Sequence, residues 1–157
     1  MSSPSDPTTG PAADLRSDLA GAFGLPLWGS RLCDGYSFVT NIGEPRPDRP
    51  RMGQWHLNVV FAFWRLETPD RVLVANFHDR DEKMKQGIAT LDGKVLVGAD
   101  VETPSMSATF FFGDGTRLRL FNASRNFDQW ALVRPDAMVR DAGPDYSWEL
   151  MELDDEA

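Results

Sequence analysis

The chain has 157 residues, the length of one ordinary domain. Its 24 acidic and 16 basic residues give a net charge of −8, which argues against nucleic-acid binding, because that binding relies on Lys and Arg at phosphates. The single cysteine, Cys33, excludes an intramolecular disulfide, and no apolar run approaches the ~18 residues of a membrane span. We expect a cytoplasmic protein with neither a nucleic-acid nor a membrane partner.

The first residues of the chain differ in composition from the rest. Residues 1–13 are rich in Ser, Pro and Thr, which predicts a disordered tail, and they lack the basic start and apolar run of a signal peptide. A single β-rich domain is expected over residues 14–157. It begins with a short helix over residues 14–21, where apolar residues recur at helical spacing.

Most of the remaining chain has the pattern of short strands, because turn residues separate its apolar runs. A proline-rich surface loop over residues 43–51 and a helical turn from Asp79 interrupt the series. This pattern predicts a mainly β fold, an antiparallel β-roll, sandwich or partly open barrel with one or two short helices. The predicted strands cover residues 25–32, 36–42, 54–66, 71–76, 88–91, 94–97, 107–112, 116–121, 129–133 and 146–153.

The segment 54–66 carries the clearest alternation of apolar and polar residues, and its phase breaks near residues 60–62. Either a β-bulge bends the strand there, or the second half of the strand is buried on both faces. The apolar positions of this segment and of two later strands are predicted to face the core. The six residues predicted to be buried are Trp55, Leu57, Phe61, Leu118, Leu120 and Trp130.

Gly113-Asp114-Gly115 predicts a hairpin between two strands. A two-residue loop and a three-residue loop bury different phenylalanines. We favour the three-residue loop with Gly115 left-handed, because it places both Phe110 and Phe112 on the apolar face.

The two histidines are the candidate catalytic or ligand-binding residues. His56 lies on the polar face of its strand beside Asn58, and His78 precedes three carboxylates in residues 79–82. The simpler interpretations are an exposed strand residue and a charged turn. The chain lacks the common phosphate-loop, nucleophile-elbow and zinc motifs, so we expect no catalytic residue, no metal site and no cofactor.

The negative charge is concentrated at one end of the sequence. Residues 136–157 contain eight acidic residues and one basic residue, whereas residues 1–135 contain 16 acidic and 15 basic residues. The segment is either a solubilising tail or an electrostatic docking surface for a basic partner, with an aromatic anchor beside the charges. The predicted partner-binding residues are Trp148, Glu149, Glu152, Asp154 and Asp155.

Two stretches resemble sequences of small β-rich bacterial proteins of the actinobacterial type. The first is WHLNVVFAFWRL at residues 55–66 with RVLVAN at 71–76; the second is FFFGDGTRLRLF at 110–121 with QWALVRPD at 129–136. Some proteins of this kind are immunity proteins in polymorphic-toxin systems. The resemblance therefore implies a protein that neutralises a cognate toxin, and it transfers no catalytic residue.

Together these observations predict a non-catalytic protein-binding module whose partner is a basic protein such as a cognate toxin. The first alternative is a small-ligand-binding β-barrel or roll, which the aromatic content would suit. The second alternative is an enzyme that uses His56 or His78.

Overall fold

Two antiparallel sheets form most of the computed structural model, which describes residues 9–76, 79–122 and 125–153. The mainly β, antiparallel fold predicted from the sequence is confirmed. The larger sheet has the strand order β1 (Leu27–Leu32), β2 (Phe38–Pro45), β3 (Gly53–Val59), β9 (Trp130–Val133), β10 (Met138–Ala142) and β11 (Glu149–Glu152). The smaller sheet has the order β5 (Val72–Ala75), β4 (Phe63–Glu67), β8 (Arg117–Phe121), β7 (Ser107–Phe112) and β6 (Leu96–Glu102).

The helix α1 (Pro11–Asp18) begins three residues before its predicted start, inside the segment assigned to the tail. Proline is favoured at the first helical position, because the missing N–H would have no partner there. Leu15 on this helix is fully buried. Residues 1–8 lie outside the described residues, so a disordered tail stays a prediction for them.

The helix α2 (Asp81–Ala89) begins two residues after Asp79, and it buries Met84 and Ile88 as their four-residue spacing predicts. Because Ile88 belongs to this helix, the predicted strand over residues 88–91 is wrong. Helical periodicity outweighs the short apolar run, and residues 90–95 connect α2 to β6. In the described part of the chain, no helix is long and apolar enough to cross a membrane.

The segment predicted as one strand over residues 54–66 is divided between the two sheets. β3 belongs to the larger sheet and β4 to the smaller one, and the chain passes between them at residues 60–62. The three backbone N–H groups of these residues lie 3.0–3.3 Å from the carbonyl oxygen of Gln129. The break in alternation is where the sequence places it, but it marks a change of sheet rather than a bulge or a doubly buried strand.

The change of sheet turns Phe61 outward, where its side chain is 41% exposed. The prediction that Phe61 is buried is therefore wrong. The other five residues predicted to be buried are confirmed: Trp55, Leu57, Leu118, Leu120 and Trp130.

The hairpin between β7 and β8 has the favoured three-residue loop. Phe112 and Thr116 close it with a backbone hydrogen bond of 3.0 Å, and Gly115 has a φ of 89°. Phe110 and Phe112 are both buried, as this loop predicts.

Aromatic pairs connect the two sheets across the core. Trp64 of the smaller sheet meets Phe38 of the larger one edge to face, with ring centroids 5.3 Å apart. Phe110 and Trp130 form a second edge-to-face pair at 6.2 Å. Aromatic side chains therefore contribute to the packing of the two sheets against each other.

The last part of the chain differs most from the prediction. β11 covers only part of the predicted strand 146–153, because residues Pro144–Tyr146 form a single 3₁₀ turn. β10 was not predicted. Only Ala142 of its five residues is buried, so the strand shows no apolar alternation in the sequence.

Replacing Trp130 with alanine tests the assigned core. Because this side chain is fully buried between the sheets, Trp130→Ala should lower the free energy of unfolding by about 3–5 kcal/mol. Phe61→Ala is the matched control and should cost about 1 kcal/mol or less, because that ring is partly in solvent. Urea denaturation measures both values, and equal losses would contradict the assignment.

Candidate functional site

The structure divides the acidic end of the chain into paired and unpaired carboxylates. Asp136 forms an ion pair with Arg134, and Asp145 lies 3.0 Å from Arg125. Within residues 9–76, 79–122 and 125–153, no Lys or Arg nitrogen lies within 4 Å of a carboxylate oxygen of Asp141, Glu149 or Glu152. The predicted binding residues Asp154 and Asp155 lie outside the described residues.

β11 is the outer edge of the larger sheet, and among the described strands it pairs only with β10. All four of its residues are exposed, including Leu150 and Met151, so neither face of the strand is covered. Edge strands with open N–H and C=O groups are templates for pairing with another chain. The predicted residues Glu149 and Glu152 lie at the two ends of this open edge.

Three carboxylates lie near enough to interact through their charges beside the edge strand. Asp141 lies directly opposite Glu149 in the β10–β11 register, and Asp128 approaches from the loop before β9. A Cβ atom added at Gly143 would lie 2.7 Å from Asp141 Oδ2, 2.8 Å from Ser147 Oγ and 3.4 Å from Asp128 Oδ1, so both carboxylates and the Ser147 hydroxyl lie close around this glycine. We call Asp128, Asp141 and Glu149 the acidic cluster.

The crowding changes the acidity of Asp141. Its burial, together with the negative charges of Asp128 and Glu149, raises the pKa of Asp141 from 3.8 to about 6. Like charges directly opposite each other destabilise a pair of strands. The acidic cluster is therefore held together at a cost to the folded state.

An exposed aromatic pair borders the acidic cluster. The rings of Phe61 and Phe127 lie 4.7 Å apart, and they are 41% and 50% exposed. Phe127 directly precedes Asp128 in the chain, which places apolar and acidic groups side by side. We call the exposed aromatic pair, the acidic cluster and strand β11 together the acidic–aromatic surface.

Trp148, which the sequence places within the last strand, lies just before β11 and is half-buried. Its ring is partly buried against Trp130, with centroids 5.6 Å apart, and its indole N–H donates to Asp14 Oδ2 at 3.0 Å. The guanidinium of Arg140 lies 5.2 Å above the ring. These contacts tie the chain before β11 to helix α1, and the predicted partner-binding role of Trp148 stays a prediction. The more exposed aromatic groups beside the acids are Phe61 and Phe127.

Sequence reasoning did not single out Phe61, Phe127, Asp128 or Asp141 as site residues. The broken alternation at residues 60–62 was the one available signal, because a change of phase indicates that a side chain leaves the core. No local sequence pattern shows that Phe127 lies against Phe61 or that Asp128 lies near Asp141, because tertiary contacts bring these residues together.

His56 lies on the outward face of β3, as predicted, but it is half-buried rather than solvent-facing. Its Nδ1 lies 2.7 Å from Asn41 Oδ1, which also accepts the backbone N–H of Gly53 at 3.0 Å. Burial, with Arg31 and Arg46 nearby, lowers the pKa of His56 to about 4, so the imidazole is neutral at pH 7.

The other two residues of the alternative ligand site do not join His56 in the described structure. Asn58 is half-buried two residues further along the outward face of β3. His78 lies outside the described residues. Among the described residues, no three His, Cys, Asp or Glu side chains are placed to hold a metal ion together.

Comparison of the chain with protein-family models, with curated proteins and with solved structures found no match. The resemblance to β-rich bacterial immunity proteins therefore stays a prediction.

Removing the Asp141 carboxylate should stabilise the protein. Because its pKa is raised by folding, the folded state binds this proton more tightly than the unfolded state, and stability falls as pH rises from about 4 to 6. Asp141→Asn should abolish that fall and add about 0.5–1 kcal/mol at pH 7.5, since it removes a charge that is partly buried and that faces two other carboxylates. Urea denaturation at several pH values measures the effect.

Asp34→Asn is the control for this substitution, because it removes one charge from an exposed aspartate in the turn between β1 and β2. It should leave the fall in stability that Asp141 causes between about pH 4 and 6 in place. Loss of stability in Asp141→Asn at pH 7.5 would show that the carboxylate is favourably held.

Proposed function

We propose that this chain is a non-catalytic protein-binding module that docks a basic protein through its acidic–aromatic surface. The observation that carries the proposal is the acidic cluster, where described carboxylates oppose each other beside an open strand edge. Residues that violate a local pairing rule at a cost in stability are often functional. A merely solubilising end would favour dispersed charges, which avoid this repulsion.

A partner's Lys or Arg placed beside the carboxylates would remove the repulsion within the acidic cluster. The same cation would lower the pKa of Asp141, because an opposite charge favours the ionised carboxylate. Negative charge on this side would also steer a basic protein during its approach and raise the association rate. The carboxylates thus supply orientation and speed.

The exposed aromatic pair supplies the apolar part of the interaction. Aromatic side chains at the centre of an interface carry much of the binding energy when a partner removes them from water. β11 adds a third element, since a partner strand can pair with its open edge. Together these features favour the binding of a folded basic protein over the binding of a flexible charged peptide.

The resemblance stated above supports a narrower form of the proposal, an immunity protein that neutralises a cognate toxin. A toxin whose active site lies on a basic surface would be inhibited when the acidic–aromatic surface covers that site. The physical argument requires only that the partner be basic.

The test compares two variants of equal net charge. The first, Asp141→Asn/Glu149→Gln/Glu152→Gln, neutralises the acidic–aromatic surface. The control, Asp34→Asn/Glu44→Gln/Glu82→Gln, removes three charges from exposed residues elsewhere. Wild type and both variants serve as baits in a lysate of the native host, and stopped-flow mixing then measures association with the captured protein.

The first variant should lose a basic protein that wild type and control retain, and its association rate at low salt should fall about tenfold. The difference should shrink as salt rises, because the screening length is about 8 Å at physiological ionic strength. If both variants capture the same proteins at the same rates, the acidic end only solubilises the chain.

A further inference from the structure

A second surface lies on the outward face of the larger sheet, over strands β1 to β3. The loop at residues 46–52 folds back over this face and leaves an open cavity of about 380 Å³. This volume is within the range of roughly 300–1,000 Å³ that small-ligand sites occupy.

Hydrogen bonds hold the loop in place. The guanidinium of Arg46 donates to the carbonyl oxygens of Gly53 at 2.9 Å, of Gln54 at 2.8 Å, and of Arg134. The amide of Arg46 also donates to the carbonyl of Met52 at 2.9 Å. The cavity is therefore formed before any ligand arrives, which reduces the entropy lost on binding.

Arginines line one part of the cavity. Arg31 comes from β1, and Arg49 and Arg51 come from the folded-back loop. Within the described ranges of the chain, no carboxylate oxygen lies within 4 Å of a side-chain nitrogen of Arg31 or Arg51, although the chain as a whole carries a net charge of −8. We call this site the arginine cavity.

The rest of the lining combines apolar side chains with His56. Val39, Pro50 and Met52 provide the apolar contacts. Because Asn41 Oδ1 accepts a hydrogen bond from Gly53, it also acts as acceptor towards His56, and Nδ1 carries the imidazole proton. Nε2 of His56 is then a hydrogen-bond acceptor.

We propose that the arginine cavity binds a small organic oxyanion, a carboxylate or a phosphate monoester. The guanidinium groups bind its anionic group, since the planar fork of arginine matches both anions. The apolar body of the ligand packs on Val39, Pro50 and Met52 beside the His56 imidazole, whose Nε2 can accept a hydrogen bond from a ligand that also carries a donor. This site lies on different strands from the acidic–aromatic surface, so each of the two proposals can be tested without the other.

Three probes of similar shape test the site: phenyl phosphate, benzoate and the uncharged benzyl alcohol. Calorimetry gives the Kd of each probe, and ¹⁵N NMR follows the imidazole signals of the two histidines. At least one anion should bind and shift the His56 signals, and benzyl alcohol should do neither. Which anion binds more tightly distinguishes a phosphate ligand from a carboxylate ligand.

A matched pair of double variants locates the binding. Arg31→Gln/Arg51→Gln should weaken binding by tenfold or more, because each lost guanidinium removes a charge-assisted hydrogen bond. Arg71→Gln/Arg80→Gln removes the same charge from exposed residues outside the cavity and should leave Kd unchanged. Thermal melts confirm that both variants fold.

Three results would overturn the proposal. These are the failure of both anions to bind at millimolar concentration, binding of benzyl alcohol as tight as that of the anions, and an equal loss of binding in both double variants. An equal loss in both double variants would show that the anions respond to the overall charge of the protein rather than to the arginine cavity.

Discussion

The carbonyl oxygen of Gln129 is the contact on which the arrangement of the two sheets depends. A chain that leaves one sheet for another interrupts its ladder, and its buried N–H groups need acceptors. The N–H groups of residues 60–62 find one at Gln129, which is itself fully buried. The backbone N–H of Gln129 donates to the carbonyl oxygen of Ala142, at the end of β10, at 2.9 Å. The same residue therefore connects the change of sheet with β9 and β10.

The position of this contact also assembles the acidic–aromatic surface. Phe61 lies at the change of sheet, and Phe127 and Asp128 directly precede Gln129, so one buried residue brings them towards Asp141. The larger sheet therefore carries two surfaces of opposite sign, a cavity rich in arginine over β1–β3 and an acidic edge at β10–β11. An overall charge of −8 conceals that separation.

Local patterns predicted much of the fold but little of the site. The alternation of Trp55 and Leu57 and the left-handed Gly115 are local features, so sequence alone predicted the inward face and the hairpin register. The composition also located the acidic end. It could not reveal that Asp128 approaches Asp141, or that Arg31 and Arg51 share a cavity, because these contacts join residues that are far apart in the chain.

The claim that repulsion within the acidic cluster makes it ready for a basic partner can be measured without that partner. Titration of the Asp141 carboxyl carbon by ¹³C NMR reports its pKa in the free protein. A midpoint near pH 6 is expected in the wild type, and it should fall part of the way towards 3.8 in the Glu149→Gln and Asp128→Asn variants, because burial of the Asp141 carboxyl persists when one neighbouring charge is removed. A wild-type midpoint near 3.8, or one that neither substitution moves, would contradict it.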